Sequence, residues 1–356
     1  IEGTLAFSHQ LFENSPALRP GRPVFFLREG SSPSRAAAYR KACQAAWTSG
    51  MERRGFRVTA VEPGPAGMEG PLWTALAGTG VGTLHAADPG DAALESRLRA
   101  FCGTNGIALV LHETPCFLLD RAWGEDFFSG RKHYRMAEFY RAVRRETGLL
   151  LDARGKPLGG KWSFDPENRR RLPKGTTVPP AWGGMAGEPI RLPVTRQEAR
   201  AALEDFLETR VDRFGDYEDA MAESQAILFH SLLSPALNVG LLTPREVLAA
   251  LMDRHAEKPV PLNSLEGFTR QVAGWREFMR TMYRLVGPHQ RQSNALSHRA
   301  DLPRGFLSGK TGVPPVDSVV ARVNLHGYAH HIERLMVLGN FLLLCETDPR
   351  AVTGWF

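Results

Sequence analysis

One stretch of this 356-residue chain breaks its patterning: DARGKPLGGKWSFDPENRRRLPKGTTVPPAWGGMAGEPIRLP, from Asp152 to Pro193, carries Gly, Pro and Arg with no sustained periodicity. It is too long for a simple connection inside a compact domain, so residues 151–195 read as an interdomain linker that wraps another surface. On either side the hydrophobic period differs. Before the linker, Pro23–Leu27, Arg57–Val61 and Ile107–His112 are short β-rich runs bounded by Gly or Pro. They alternate with helical patterns at Ser34–Arg54, Ala92–Cys102 and Tyr134–Thr147. Alternation of that kind predicts an α/β N-terminal domain, a Rossmann-like parallel sheet over residues 1–150. No G-x-G-x-x-G follows the first strand, so the ordinary dinucleotide fingerprint is missing. After the linker the signal is helical almost throughout, which predicts an all-α C-terminal domain over 196–356. Thr195 and Glu198 form a capping box for a helix reaching about Arg213. Ser264 opens another helix, with Leu265, Phe268, Val272, Trp275, Met279, Met282 and Val286 on one stripe. Arg276, Arg280 and Arg284 fall at i, i+4, i+8 on a neighbouring face.

Composition narrows the function classes. The 35 glycines and 25 prolines have no period, which excludes a collagen-like chain. A net charge of +6 and a pI near 9.3 suit an anionic partner. The cysteines at 43, 102, 116 and 345 contain no C-x-x-C; scattered thiols fit a reducing, cytoplasmic setting rather than a disulfide scaffold. No apolar run approaches 18 residues, so no membrane partner is expected. The chain begins without Met and ends on Trp355-Phe356 inside a helical pattern, which reads as a piece of a longer protein.

Four segments carry chemistry, each beside a purely structural alternative. Arg131–Arg145 interleaves basic residues with aromatics, as a phosphate-binding surface does; equally, Met136, Phe139, Tyr140 and Val143 form the inner stripe of an amphipathic helix. Lys161-Trp162-Ser163-Phe164-Asp165 reads as an interdomain clamp, followed by an arginine run. Phe229-His230-Ser231-Leu232-Leu233-Ser234-Pro235 sets two hydroxyls three residues apart at a helix start, where phosphate is attracted; Ser234-Pro235 is also an ordinary cap with Pro at the first helical position. In Gly327-Tyr328-Ala329-His330-His331-Ile332-Glu333-Arg334, His331 offers acid–base chemistry near neutral pH and Arg334 lies one turn on. His326 and His330 share metal-pair spacing, but no H-E-x-x-H accompanies them, so no metal site is assigned.

Together these segments resemble one family. GGKWSFDPENRR (159–170), DYEDAM (216–221), LFHSLLSPALNVGLLTPREV (228–247), EGFTRQVAGWREFMR (266–280), HGYAHHIERLMVLGNF (326–341) and the closing VTGWF are similar to the photolyase/cryptochrome superfamily, in its bacterial photolyase-related branch that includes prokaryotic (6-4) photolyases. The motifs run in order over about residues 130–356; the first 130 residues agree in pattern more than in letters.

The resemblance implies FAD inside the helical domain. Tyr217 and His230, Ser231, Leu232, Leu233 and Ser234 would lie against its phosphates and ribose. Trp275 and Arg276 would line the pocket, Glu277 would approach the damaged base, and Arg334 would sit beside the isoalloxazine. His331, with His330 beside it, matches the histidine that protonates the lesion, and Trp355 the electron-transfer chain. The implied activity is light-dependent lyase repair of damaged DNA by a monomer: blue light excites the reduced flavin, an electron enters a pyrimidine (6-4) lesion, and the dinucleotide must be flipped out to reach it. A ribityllumazine-type antenna between the α/β domain and the linker is also implied. The departures are specific. Where iron–sulfur relatives carry their first ligand Cys, Val316-Asp317-Ser318-Val319 has none, so the cluster's ligand set is incomplete here. Leu307 stands where a Trp of the electron-transfer chain is expected. Two alternatives follow: a cryptochrome-like blue-light photoreceptor without repair, and a DNA-binding protein that has lost its flavin.

Overall fold

The computed structural model describes residues 1–7, 15–27, 35–62, 69–184, 188–223 and 225–356. Ser34, the first residue of one expected helix, and residues 185–187 of the linker lie outside them.

The first part is a five-stranded, all-parallel sheet. Its strands are β1 (Glu2–Phe7), β2 (Val24–Leu27), β3 (Val58–Val61), β4 (Thr83–Ala87) and β5 (Ala108–His112), in the order β3-β2-β1-β4-β5. Registers such as Leu5↔Phe25, Leu5↔Ala86 and Ala86↔Leu111 align the strands. The strand run VFFL is apolar at every position because it is covered on both faces, as inner parallel strands are. Val24 and Phe26 point into one core with Trp47; Phe25 and Leu27 point into another with Leu72, Leu98 and Phe101. The helices here are α1 (Arg35–Arg53), α2 (Glu69–Leu76), α3 (Ala92–Thr104), α4 (Arg121–Phe128) and α5 (Met136–Thr147). On α1, Tyr39, Cys43, Trp47 and Met51 recur every four residues and form its core stripe. β1, β4, α2 and α4 are elements the periodicity did not announce; each is eight residues or fewer, too short for a pattern to stand out.

The remainder is helical. After α6 (Arg196–Thr209) and α7 (Val211–Phe214) come α8 (Ser234–Asn238), α9 (Pro244–Glu257) and α10 (Leu262–Thr269). A π-helical segment, Arg270–Trp275, joins α10 to α11 (Arg276–Leu285). Then follow α12 (Gly287–Gln290), α13 (Pro314–His326), a second π-helical segment at Glu333–Gly339, α14 (Asn340–Leu344) and α15 (Pro349–Trp355). The Thr195 capping box forms as expected, with the Glu198 N–H donating to Thr195 Oγ1 at 3.2 Å. The helix ends at Thr209 instead of about Arg213. Ser264 does not open a helix: α10 starts two residues earlier, and Ser264 is buried, accepting from the Gly215 N–H at 2.8 Å and donating to the Asp212 carbonyl at 3.1 Å.

The first π-helical segment corrects the stripe read from the sequence. A π turn inserts a residue into the 3.6-residue repeat, so the face rotates at Arg270–Trp275. Leu265, Phe268 and Val272, ahead of or inside it, are buried; Trp275, its last residue, and Met279, beyond it, are 41% and 55% exposed, while Met282 is buried again. Arg276, Glu277 and Arg280 turn inward instead. They form a seam with the α/β part. Arg276 donates to the Cys116 carbonyl at 3.1 Å, and Arg280 donates to the Leu119 carbonyl at 2.8 Å and pairs with Asp88 at 3.1 Å. Arg284 donates to Glu125 at 2.9 Å.

The described part of the linker packs against the helical part, with Arg170 pairing with Asp216 at 2.9 Å. Arg144, fully buried on α5, donates to the Trp162 carbonyl at 2.9 Å, and the Phe164 N–H donates to Glu266 at 2.8 Å. Trp162 lies under the guanidinium groups of Arg144 and Arg145, so the clamp reading of its segment is the one observed. Gly274 lets the backbone approach Tyr140 on α5; a Cβ there would sit 3.0 Å from the ring. The amphipathic reading of Arg131–Arg145 also holds, with Phe139, Tyr140 and Val143 buried and Arg141 and Arg145 outside.

Candidate functional site

Between α1, the linker and the helical part lies a cavity of about 710 Å³, within the range of cofactor pockets. Of the residues picked from sequence, Ser234, Arg334 and Trp355 line it, together with Tyr39, Asn238 and His326. Ser234 is exposed at the start of α8, as Pro235 at the next position favours. Arg334 is exposed in the second π-helical segment, and its guanidinium has no ion pair or hydrogen bond among the described residues. Trp355 packs edge-on to Phe306 at 4.9 Å. Arg276 is one residue removed from the cavity: it donates to Asn238 Oδ1 at 2.8 Å.

The other picks disperse. Tyr217 is buried against Phe229 (5.4 Å), with Arg213 over both rings. Leu233 is core, Ser231 accepts from the Leu233 N–H at 3.4 Å, and Trp275 packs on Phe278. Leu228 and Leu232 hold left-handed φ of 46° and 59°. A leucine there is strained by about 1–3 kcal/mol, and the two bracket His230. Glu277 is buried, accepting from the Leu118 N–H at 2.7 Å. Burial pushes its carboxyl up to about 7, against the opposing pull of Leu118, Arg280 and Arg276.

Beside the cavity wall, three histidines meet. The His230 and His330 rings stack at 4.9 Å and 16°, and His331 lies edge-on to His230 at 5.6 Å. Burial and the neighbouring histidines hold His230 well below the ordinary imidazole range; burial first, then His331, Arg322 and Arg334, push His330 down to about 3. His331 is the partly exposed member, with Nε2 3.1 Å from Asp219 Oδ1. Asp219 was legible as part of DYEDAM, yet nothing in the sequence linked it to a histidine 112 residues later. His326 does not pair with His330: α13 ends at His326, Gly327 turns left-handed at φ 66°, and His326 accepts from the Ile190 N–H instead.

Among the described residues no helix is long and apolar enough to cross a membrane. Among the described residues the four cysteines are free.

The chain is similar to known proteins in sequence and in fold. The profile of the deoxyribodipyrimidine photo-lyase-related protein family matches residues 4–190. A (6-4) photolyase of Agrobacterium fabrum is 36% identical over 292 residues, 76% of this chain and 57% of that protein, so the chain spans just over half the relative's length. An uncharacterized protein of Acanthamoeba polyphaga mimivirus is 35% identical over 112 residues, 31% of this chain and 85% of its own. In fold, the chain is similar over its whole length to a Synechocystis cryptochrome (TM-score 0.74, 14% identity, 78% of that chain). It is likewise similar to a bacterial class III photolyase from Agrobacterium tumefaciens (TM-score 0.69, 21% identity, 75% of that chain).

Proposed function

The chain belongs to the deoxyribodipyrimidine photo-lyase-related family, and from that premise we propose that it is a light-dependent DNA lyase acting on pyrimidine (6-4) lesions with FAD as cofactor. The observation that carries the reading is the placement of His331. It is the imidazole of its cluster that is partly exposed, it is oriented by Asp219, and it lies three residues from a cavity-lining arginine that has no anionic partner among the described residues. The cavity fits the cofactor in volume and in donor set. Ser234 and Asn238 would meet the phosphates and ribose, Arg334 would face the flavin ring, and Trp355 would stand as an electron relay. Bound reduced flavin supplies, on absorbing blue light, the electron that enters the lesion.

The proton chemistry belongs to the chain itself. His330 stays neutral near pH 7 because burial pushes it down to about 3, so it serves as packing behind His331. With Nε2–H of His331 donated to Asp219, the proton leaving the protonated ring is the one on Nδ1. A positioned acid of this kind contributes about 10²–10⁴ in rate. Glu277, sealed against Leu118, takes a positioning role in this reading and does not meet the base. The substrate is damaged DNA, the protein acts as a cytoplasmic monomer, and a ribityllumazine-type antenna would sit between the α/β part and the linker.

The test is light-dependent restoration of a (6-4)-containing oligonucleotide by the reduced protein. His331→Ala is expected to lose at least about 100-fold in rate while flavin absorbance stays; unchanged repair would remove His331 from the chemistry. One observation favours a photoreceptor instead: Leu307, 63% exposed, occupies the position where the electron-transfer chain calls for a tryptophan. A wild-type protein whose flavin responds to light but which restores no lesion would establish that reading. A colourless folded protein would refute both.

A further inference from the structure

The histidine cluster has a property that proton transfer through His331 leaves unexplained. His230 and His330 are 8% and 1% exposed. His230 Nε2 and both ring nitrogens of His330 have no hydrogen-bond partner. A buried polar atom left unpaired forfeits the hydrogen bond it had to water, so three orphaned nitrogens at one point are unfavourable unless something meets them. One donor nitrogen from each of His230, His330 and His331 falls within 4.8 Å of the others.

We propose that His230, His330 and His331 form a binding site for a divalent transition-metal cation of the zinc class. Imidazole nitrogens suit borderline cations of this kind, whereas magnesium and calcium take oxygen donors. A tetrahedral ion with bonds of about 2.0–2.1 Å sets its donors about 3.4 Å apart, so closing on the ion needs ring movements of at most about 1.5 Å. His331 Nε2 is committed to Asp219 at 3.1 Å, which leaves the Nδ1 lone pair for the metal. This is the carboxylate–histidine–metal relay that orients ligands in many such sites. Glu333 Oε1, 3.6 Å from His330 Nε2, adds a second carboxylate, although it also pairs with Arg322. The partial exposure of His331 gives an entry path and leaves the fourth coordination position open. The three ligands come from the strained 228–232 loop and the Gly327–Arg334 turn, so neither sequence spacing nor the His326–His330 pair reveals them. Binding is independent of the lyase reading. On that reading, a bound cation would occupy the lone pair His331 needs, so metal and proton donation exclude one another.

The test uses the full-length protein in the dark and without DNA, titrated with Co²⁺, whose tetrahedral complexes absorb strongly in the visible. One equivalent is expected to give tetrahedral bands that Zn²⁺ abolishes. His230→Ala and the more exposed His331→Ala, which does not depend on a buried substitution, are each expected to weaken Co²⁺ at least about 100-fold. Asp219→Asn should weaken it about 10-fold or more, and the exposed His289→Ala should leave it unchanged. Absent bands with a folded protein, weak octahedral bands, or unchanged affinity in His331→Ala would each overturn the site. Loss of repair in His331→Ala with Co²⁺ binding intact would overturn the site and leave the lyase reading standing.

Discussion

Glu277→Gln tests the seam between the α/β and helical parts. The Glu277 carboxyl is 3% exposed and its acidity is displaced from the ordinary 4.5 to about 7, with burial the largest cause. The folded protein therefore holds this proton more tightly than the unfolded chain does. Stability from the group is complete below pH 4.5 and is lost as pH rises towards 7, because there the unfolded state has released a proton that the folded state retains. At about 1.4 kcal/mol per tenfold change in proton affinity, the full loss is about 3 kcal/mol. Between pH 5 and pH 8 about 2.5 kcal/mol of it falls away. Glutamine keeps the Oε1 that accepts from the Leu118 N–H (2.7 Å) and cannot ionise. Urea unfolding of both proteins at the two pH values should give near-equal stabilities at pH 5, and a variant more stable by about 2.5 kcal/mol at pH 8. A difference that does not change with pH, or a variant weaker at pH 8, would mean that the arginines win and that the carboxylate is ionised in the fold.

Two other substitutions probe stability. Arg280→Met removes a buried guanidinium from Asp88 (3.1 Å) and from the Leu119 carbonyl; breaking a buried pair costs about 3–5 kcal/mol, and the loss should appear as a lower urea midpoint at pH 7. Thr243→Ala deletes the α9 capping box, in which the Glu246 N–H donates to Thr243 Oγ1, and should cost about 1 kcal/mol in the same assay.

Much of the architecture was readable from local chemistry. VFFL, the i, i+4 stripe of α1 and the Thr195–Glu198 box each specify their element through contacts within a few residues. The aperiodic linker announced a wrapped surface because Trp162 and Phe164 are poor solvent residues. The stripe through Trp275 failed for a definite reason: periodicity arguments assume 3.6 residues per turn throughout. One π-helical insertion then exchanged Trp275 and Met279 for Glu277 and Arg280 at the buried face. The same change of frame explains why the arginines at i, i+4 and i+8 lock the two parts together.

The site divides along the same line. The segments LFHSLLSP and GYAHHIER were conspicuous in the sequence because histidines, hydroxyls and an arginine were concentrated there, and that chemistry is local. Which of them act together is a matter of distance across the fold. His230 is brought 100 residues to stack on His330, Asp219 reaches His331, and Tyr39 of the α/β part closes a cavity with Arg334 and Trp355. By itself, then, the sequence determined the longer elements, the order of sheet and helical parts, the family and the inventory of reactive side chains. Only the tertiary structure decided which of them are buried, paired or left facing a cavity, because burial and pairing are set by packing between segments that no local period connects.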